Sequence, residues 1–208
     1  MTLCRARPPV HENGTVSTDE TPIDPRDLGD GLKLRLLEPA DAEALTELVA
    51  ANREHLAPWD PERDEEHVTL DRQRELLDAA LGRFGNGTEV PFGIVVDGHL
   101  AGRVTLSNVV RGPLQSANLG YWIDHRAQGR GLVRRAVGAV VEIARDDLGL
   151  HRLEAGTLVH NERSQAVLER AGFERIGLAR GLLMIAGRWQ DHVLFQRLLH
   201  DGSGLRSR

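Results

Sequence analysis

The sequence reads Arg126-Ala127-Gln128-Gly129-Arg130-Gly131 where a predicted strand ends and the longest predicted helix begins. The first amides of a helix have no intrahelical partner, and the helix dipole places partial positive charge there. Glycines at 129 and 131 allow the backbone to approach an anion closely. No acidic side chain lies between Asp124 and Glu142, although the whole chain has a net charge of −5. This pattern predicts a diphosphate-binding loop around Arg126–Val133.

The regions on either side of this loop alternate between strand and helix patterns. Period-two hydrophobicity predicts the strands, and Asp97-Gly98 predicts a hairpin turn between two of them. Apolar residues from Leu132 to Ala144 recur at helical spacing and give the long helix one apolar face. The predicted order is β-α-α-β-β-β-α-β-α-β-β. It indicates an α/β fold, with a mixed, mostly antiparallel sheet of about seven strands and helices on both faces.

Two boundaries are predicted from breaker residues. The second helix is expected to begin near Leu70 and to end near Leu81, because Gly82, Gly85 and Gly87 follow. Residues 1–30 and 201–208 contain few large apolar groups, so we expect flexible tails around a single domain at 31–200.

Composition limits the location and the ligands. Cys4 is the only cysteine, which fits a reducing compartment, and no apolar run is long enough to span a membrane. We therefore expect a cytoplasmic protein. The acidic net charge gives no reason to expect direct binding to nucleic acid, and the scattered histidines predict no metal site.

The glycine loop and a second segment together resemble the Gcn5-related N-acetyltransferases (GNAT). The loop matches their Gln/Arg-x-x-Gly-x-Gly/Ala motif, which follows the fourth strand of that fold. The second segment, His160-Asn161-Glu162-Arg163-Ser164, follows the next strand, and Leu168–Phe173 completes the pattern. The resemblance implies a single GNAT-type domain with acetyl-CoA as cosubstrate and without a metal.

The resemblance also implies which residues bind acetyl-CoA. In the family, the asparagine and the serine of the second segment face the CoA arm. From the residues alone, an alternative remains open: Asn161 caps the following helix and Ser164 lies in its first turn. The implied set is Trp122, Ile123, Arg126, Gln128, Gly129, Arg130, Gly131, Leu132, Val133, Asn161 and Ser164.

Further segments narrow the resemblance to the ribosomal-protein alanine N-acetyltransferases of the RimJ/RimL group. They are Asn52-Arg53 with Leu56-x-Pro58-Trp59, Ser107–Gly112, Gly120-Tyr121 and Gly187-x-Trp189-x-Asp191-His192. The match spans residues 31–198 and implies a peptide or macromolecular amine as acceptor. The implied substrate-binding residues are Trp59, Asn108, Arg111 and Asn118. The oligomeric state stays open, with a homodimer as one option.

Some residues that transfer protons in many relatives are absent. Asn118 stands where a glutamate of the fourth strand is common, and no tyrosine lies in the following helix, so that role is vacant. Ser164, Asn161 and His160 are the predicted catalytic residues. Ser164 would donate a hydrogen bond to the leaving sulfur, and His160 or His125 would relay the amine proton. A surface or structural role for each histidine is the alternative.

The sequence therefore predicts transfer of an acetyl group to a primary amine, above all the N-terminal α-amine of an Ala- or Ser-type protein. An α-amine has a reference pKa near 8, so about a tenth of it is already neutral at pH 7 and a strong base is not required. Two alternatives remain. One is an enzyme that uses a small-molecule amine or another acyl-CoA, and the other is a non-catalytic acyl-CoA-binding module.

Overall fold

The computed structural model describes residues 23–200. Within this range, no helix combines the length and the apolar character needed to cross a membrane. The strands are β1 (Arg26–Asp27), β2 (Leu32–Leu36), β3 (Val90–Val96), β4 (His99–Val110), β5 (Ser116–Ile123), β6 (Arg152–Leu158), β7 (Glu174–Ile185) and β8 (Arg188–Leu198). The helices are α1 (Ala42–Ala51), α2 (Arg53–Leu56), α3 (Leu70–Gly85), α4 (Leu132–Asp146) and α5 (Glu162–Arg170).

The strands form one sheet in the order β1-β2-β3-β4-β5-β6-β8-β7. Neighbouring strands are antiparallel, except that β5 and β6 are parallel. These two strands pair only over Ser116–Asn118 and Arg152–Glu154. Beyond these residues β5 stays with β4 and β6 stays with β8, so the sheet opens between β5 and β6.

Alternate residues of β3 show that both faces of the sheet are covered. Phe92 and Ile94 belong to the larger buried cluster, which includes the apolar face of α4. A Cβ built on Gly93 would lie 2.8 Å from Leu100 and 3.0 Å from Leu37, which packs with α1 and α3 in a smaller cluster. The predicted α/β fold with a mostly antiparallel sheet is confirmed, with eight strands where about seven were expected.

The apolar face of α4 fixes the position of the loop before it. Ala136, Val137, Val140 and Ala144 recur at helical spacing and are fully buried. Burial of one Val-sized side chain stabilises a fold by about 1.5–3 kcal/mol. Because several such residues lie on one face, the N-terminus of α4 is held rigidly against the sheet.

The domain begins earlier than predicted. Residues 23–30 fall in the predicted tail, yet Ile23 is buried and Arg26–Asp27 pairs with β2. Arg135 of α4 also donates a hydrogen bond to the carbonyl oxygen of Gly29 at 3.0 Å. One buried isoleucine and a few backbone contacts anchor this otherwise polar segment. The remainder of that predicted tail, and the one at 201–208, lie outside the described residues.

The end of α3 also differs from the prediction. The helix continues through Gly82 and ends at Gly85. Each glycine in a helix costs about 1 kcal/mol relative to alanine. Buried Leu77 and Ala80 anchor the preceding turn, so tertiary packing outweighs this cost.

Candidate active site

The opening between β5 and β6 leads into a cavity of about 1070 Å³. Leu119–Ile123 and Ala155–Leu158 form two of its walls, while α4, α5 and part of the segment 55–61 complete it. Beyond Asn118, the edge of β5 that faces β6 has no strand partner among residues 23–200, so backbone polar groups line the opening. Known ligand cavities measure about 300–1,000 Å³, and this one has room for a long ligand.

The glycine loop lies at one end of this cavity. Gly129 and Gly131 have φ angles of 76° and 72°, in the left-handed region that disfavours residues with a Cβ. Gly131 is the N-cap of α4 and provides no side-chain cap, so the first amides of the helix are available to a ligand. A Cβ at either glycine would meet no protein atom within 4 Å. Protein packing therefore does not explain these glycines, whereas close approach of an anion does.

Three arginines bring positive charge to the cavity. Arg134, Arg163 and Arg170 line it. The ion pairs formed within residues 23–200 involve none of these three side chains. Their charge is therefore available to a bound anion such as a diphosphate.

Arg126 behaves differently, because its guanidinium pairs with Asp124 at 2.6 Å. Burial alone would raise the pKa of Asp124, but hydrogen bonds from Arg126 outweigh it and hold the pKa below its usual value. The Asp124 carboxylate also accepts a hydrogen bond from the backbone N–H of Arg126 at 3.1 Å. Arg126 thus shapes the loop, with much of its charge already neutralised.

Two hydroxyl groups meet on the walls of the cavity. The phenol oxygen of Tyr121 lies 2.9 Å from Oγ of Ser164 and 3.1 Å from the Ser164 carbonyl oxygen. Asn161 caps α5, since its Oδ1 accepts a hydrogen bond from the backbone N–H of Ser164 at 3.1 Å. Burial raises the pKa of Tyr121 to about 12, although the hydrogen bond with Ser164 opposes this rise. The phenol therefore keeps its proton at neutral pH and acts as a hydrogen-bond donor.

Thr157 of β6 adds an unsatisfied polar group to the same cavity. Its hydroxyl is buried and has no hydrogen-bond partner within residues 23–200. Such a group costs about 1–3 kcal/mol unless a ligand satisfies it. The glycine loop, the arginines and Thr157 together fit a long ligand with a diphosphate at one end and polar groups along its arm, as in CoA.

The family model described as an acetyltransferase (GNAT) domain matches residues 32–174. The chain belongs to the GNAT acetyltransferase family. It is 37% identical over 175 residues to the probable N-acetyltransferase YjcK of Bacillus subtilis, covering 83% of this chain and 97% of that protein. It is 36% identical over 167 residues to the ribosomal protein uS5-alanine N-acetyltransferase of Escherichia coli, covering 79% of this chain and 86% of that protein.

A solved structure extends this similarity. RimJ of Mycobacterium smegmatis, in complex with CoA-disulfide, matches with a TM-score of 0.78 and 30% identity, over 80% of this chain and 81% of that one. The predicted resemblance to the RimJ/RimL type is thereby confirmed. This GNAT protein is an acyltransferase of the N-acetyltransferase class.

The GNAT cavity brings together most residues predicted to bind acetyl-CoA. Arg126 and Arg130 do not line it: Arg126 pairs with Asp124, and Arg130 is exposed. Those that line it are Trp122, Ile123, Gln128, Gly129, Gly131, Leu132, Val133, Asn161 and Ser164. Their roles in binding stay predictions.

Only Trp59, of the four residues predicted to bind the acceptor, lines the cavity. Arg111 donates a hydrogen bond to the carbonyl oxygen of Leu148, just after α4 and at the far end of that helix from the glycine loop. Asn108 lies in a β-bulge of β4 with a φ of 50°, and Asn118 precedes the point where the strands diverge. These three residues lie outside the lining of the cavity, and their roles in binding the acceptor stay predictions. Arg111 also lies at a helix C-terminus, where its charge is favourable, and Asn108 tolerates the left-handed conformation that the bulge requires.

His160 lies beside the cavity rather than in its wall. It is exposed, and its ring packs against Trp59 at a tilt of 32°, with centroids 5.5 Å apart. This placement favours the structural alternative for His160, in which it orients Trp59. Asn161 likewise has the capping role described above, whether or not it also contacts a ligand.

Tyr121 provides a candidate for the role that the sequence left vacant. The sequence pattern favours a tyrosine in a helix, whereas Tyr121 reaches Ser164 of α5 from β5 across the cavity wall. The role was predicted to be vacant because no tyrosine lies in the helix itself. The contact between Tyr121 of β5 and Ser164 of α5, 43 residues later, depends on the fold and produces no spacing pattern in the sequence.

Two residues from the first helices hold the glycine loop and were missed as site residues. Asn52 is fully buried, and its Oδ1 lies 2.9 Å from both the backbone nitrogen and Nδ1 of His125. His55 lies on α2, and its Nε2 is 2.7 Å from Nε2 of Gln128, where the amide donates to the unprotonated ring nitrogen. The loop is therefore tied to α1 and α2, which also lead into the acceptor side of the cavity. Asn52 was quoted only as part of the family resemblance. The signal that could have identified it as a site residue was a buried amide side chain at the end of a helix.

Proposed function

We propose that the protein acetylates the α-amine of a protein N-terminus with acetyl-CoA as cosubstrate. The observation that carries the proposal is the cavity between β5 and β6, which joins the glycine loop to the Tyr121–Ser164 pair. The Escherichia coli relative is named for an alanine of protein uS5, and the RimJ structure contains CoA. The first of these names supports a small N-terminal residue such as alanine as the acceptor.

Residues of this chain would hold the cosubstrate as follows. Acetyl-CoA supplies an acetyl group activated as a thioester. Gly129, Gly131 and the first amides of α4 would bind its diphosphate, and nearby arginines would neutralise the charge. Backbone amides of the diverging segment Leu119–Ile123 would polarise the thioester carbonyl. Because all these groups are fixed by the sheet and α4, much of the catalysis would come from positioning.

The hydroxyl pair would act on the leaving sulfur. Ser164 would donate a hydrogen bond to it. Tyr121 would then donate its one proton to Oγ of Ser164 rather than to the Ser164 carbonyl oxygen, which polarises the serine hydroxyl. A thiol has a reference pKa near 8.5, far below the value of about 12 for Tyr121. The tyrosine therefore keeps its proton, and it would stabilise the thiolate only through the hydroxyl of Ser164.

Proton chemistry supports an α-amine over a lysine side chain. The reference pKa of lysine is near 10.4, so its amine is about 250-fold less deprotonated than an α-amine at neutral pH. The wall of the cavity has no glutamate among residues 23–200. An enzyme without a glutamate base in its cavity wall favours the acceptor that loses its proton more readily.

The test uses a peptide with an N-terminal alanine and one internal lysine, incubated with acetyl-CoA and the enzyme. Mass spectrometry should place the acetyl group on the N-terminal residue. The matched control is the same peptide with a blocked N-terminus, which should react at least about tenfold more slowly. Preferential acetylation of lysine, or of a polyamine offered in parallel, would overturn the acceptor class. A small amine would then be the substrate.

A further inference from the structure

His192 of β8 belongs to the Asp191-His192 pair that marked the family resemblance without a role. It is only 4% exposed and lines the same cavity as Tyr121 and Ser164. Its Nδ1 lies 3.0 Å from the carbonyl oxygen of Gln190. A carbonyl oxygen only accepts hydrogen bonds, so Nδ1 carries a proton in either charge state. In the neutral ring, Nε2 therefore holds the free lone pair.

Space is available next to that nitrogen. His192 lies opposite Leu158, in the part of β6 that diverges from β5. The neighbouring residue on the same face is Gly156, which is exposed and also lines the cavity. A Cβ built on Gly156 would lie 3.8 Å from Cδ2 of His192, the ring atom bonded to Nε2. Glycine at this position keeps the Nε2 edge of the ring open to the cavity.

Asp60 supplies negative charge to the same cavity. Its carboxylate forms no hydrogen bond or ion pair within residues 23–200, and burial raises the pKa of this group against an opposing effect of Arg63. The backbone around it is fixed, because its N–H donates to Leu56 at 3.1 Å and its carbonyl oxygen accepts from the N–H of Ala186 at 3.3 Å. Ala186 lies in the turn between β7 and β8, so Asp60 and the hairpin that carries His192 share one wall. An unpaired, partly buried carboxylate attracts a cation.

We propose that Asp60 draws the cationic ammonium of the acceptor into the cavity and that Nε2 of His192 accepts its proton. This assignment rests on the proposed amine acetylation. One proton passes from the ammonium to Nε2, and the neutral amine then forms the C–N bond as the C–S bond breaks. The electron pair of the C–S bond leaves with the sulfur. A second N–H proton is lost as the amide forms, so one proton ends on the thiol and one is released to solvent from His192.

The two residues need each other in this scheme. A free α-amine is about a tenth neutral at pH 7, but a nearby carboxylate stabilises the ammonium and lowers that fraction. A binding site built on Asp60 therefore requires a proton acceptor inside the cavity. The other titratable side chains lining the cavity are His55, Tyr121, Arg134, Arg163 and Arg170. Of these, His55 is engaged with Gln128 and the phenol of Tyr121 keeps its proton.

The first test replaces His192 with asparagine, whose amide preserves a donor toward the Gln190 carbonyl but offers no base. At pH 7, kcat/KM for the alanine peptide should fall about 10- to 100-fold, up to the lower end of general-base effects, because part of the amine is already neutral. At pH 9 the α-amine is mostly neutral, and the loss should shrink to about threefold or less. The affinity for CoA and the melting temperature report whether the fold is intact, and His192→Gln serves as a second variant. An equal loss at both pH values, or no loss, would overturn the role of His192.

The second test compares Asp60→Asn with Glu65→Gln, which removes the same charge from an exposed residue outside the cavity. Asp60→Asn should raise KM for the alanine peptide about tenfold, consistent with loss of a partly buried charge pair. It should leave the affinity for the Nα-acetylated peptide unchanged, because that product has no ammonium. Glu65→Gln should change neither quantity. Equal weakening of the amine and acetylated peptides by Asp60→Asn would overturn the role of Asp60.

The acceptor specificity and the roles of His192 and Asp60 can be tested separately. If the wild-type enzyme acetylates another amine faster than alanine peptides, the proposed acceptor is wrong. The His192 and Asp60 comparisons are then made with that faster amine and still decide the proton transfer. If the wild type acetylates alanine peptides and both variants match it, the proposed function stands and this inference falls.

Discussion

The two ends of the cavity are built in different ways. The proposed diphosphate end comes from one continuous segment, residues 126–133, in which backbone amides and glycines would form the binding surface. The proposed acceptor end would be assembled from Trp59, Asp60, Ile185 and His192, which come from a loop and from two strands more than 120 residues away in the chain. A continuous backbone site leaves a fixed spacing in the sequence. A site assembled by folding leaves only residues that are scattered along the sequence, without a fixed spacing.

The largest effect should come from breaking the continuous end. Gly129→Asp adds a side chain at a left-handed position and a negative charge where the diphosphate would lie. The affinity for CoA should fall at least about 100-fold, measured by calorimetry, because strain and like-charge repulsion each cost a few kcal/mol.

Gly112→Asp is the matched control for that change. Gly112 has a φ of 67°, and a Cβ there also meets no protein atom within 4 Å. It lies between β4 and β5, away from the cavity, so this variant shares the strain and the charge without touching the site. Equal loss of CoA binding in both variants would show that the effect is not specific to the glycine loop.

The next largest effect should come from the hydroxyl pair of Tyr121 and Ser164, between the two ends of the cavity. Ser164→Ala and Tyr121→Phe should each lower kcat about 10- to 100-fold, as expected for one hydrogen bond to a charged atom. The affinity for acetyl-CoA should change little. Because the two hydroxyls act in one chain, the double variant should lose much less than the product of the single losses. Full additivity in steady-state kinetics would mean that the hydroxyls act separately.

A smaller effect is expected from Asn52, which ties the glycine loop to the end of α1 through His125. Asn52→Ala removes the acceptor that holds His125 and should weaken CoA binding about 3- to 10-fold. It should also lower the free energy of unfolding by about 1–3 kcal/mol, since buried hydrogen bonds are lost. Asn86→Ala, at the exposed end of α3, is the control and should stay within about 0.5 kcal/mol of wild type. Unchanged CoA affinity in Asn52→Ala would show that the loop holds its shape without this contact.

The smallest effect on the cavity is expected from the N-terminal segment. Removal of residues 1–30 should lower the free energy of unfolding by about 1.5–3 kcal/mol, because buried Ile23 is lost with β1. CoA affinity should change by no more than about twofold in the folded fraction. Removal of residues 1–22 alone should leave both nearly unchanged, given their polar composition. Denaturant unfolding separates these outcomes, and equal stability of the two truncated chains would mean that residues 23–30 contribute nothing.

These differences also explain what the sequence could predict. The long amphipathic α4, the Asp97-Gly98 hairpin and the glycine loop are local patterns, and the structure contains all three. The contact of Tyr121 with Ser164 was missed because it depends on how β5 faces α5. The contact of Arg111 was not predicted either. Arg111 was quoted only for a resemblance, and it donates a hydrogen bond to the carbonyl oxygen of Leu148 at the far end of α4. The continuation of α3 through Gly82 shows packing overriding a local breaker.

In the proposed function, one cavity holds the CoA arm and an N-terminal amine together. The most direct measurement is the affinity for a conjugate in which an acetyl bridge links the CoA sulfur to the α-amine of an alanine peptide. The conjugate should bind at least about 100-fold more tightly than CoA alone, because both ends are engaged at once. The same conjugate made through a lysine side chain should gain much less. Equal affinity for the α-linked conjugate and for CoA would contradict the account.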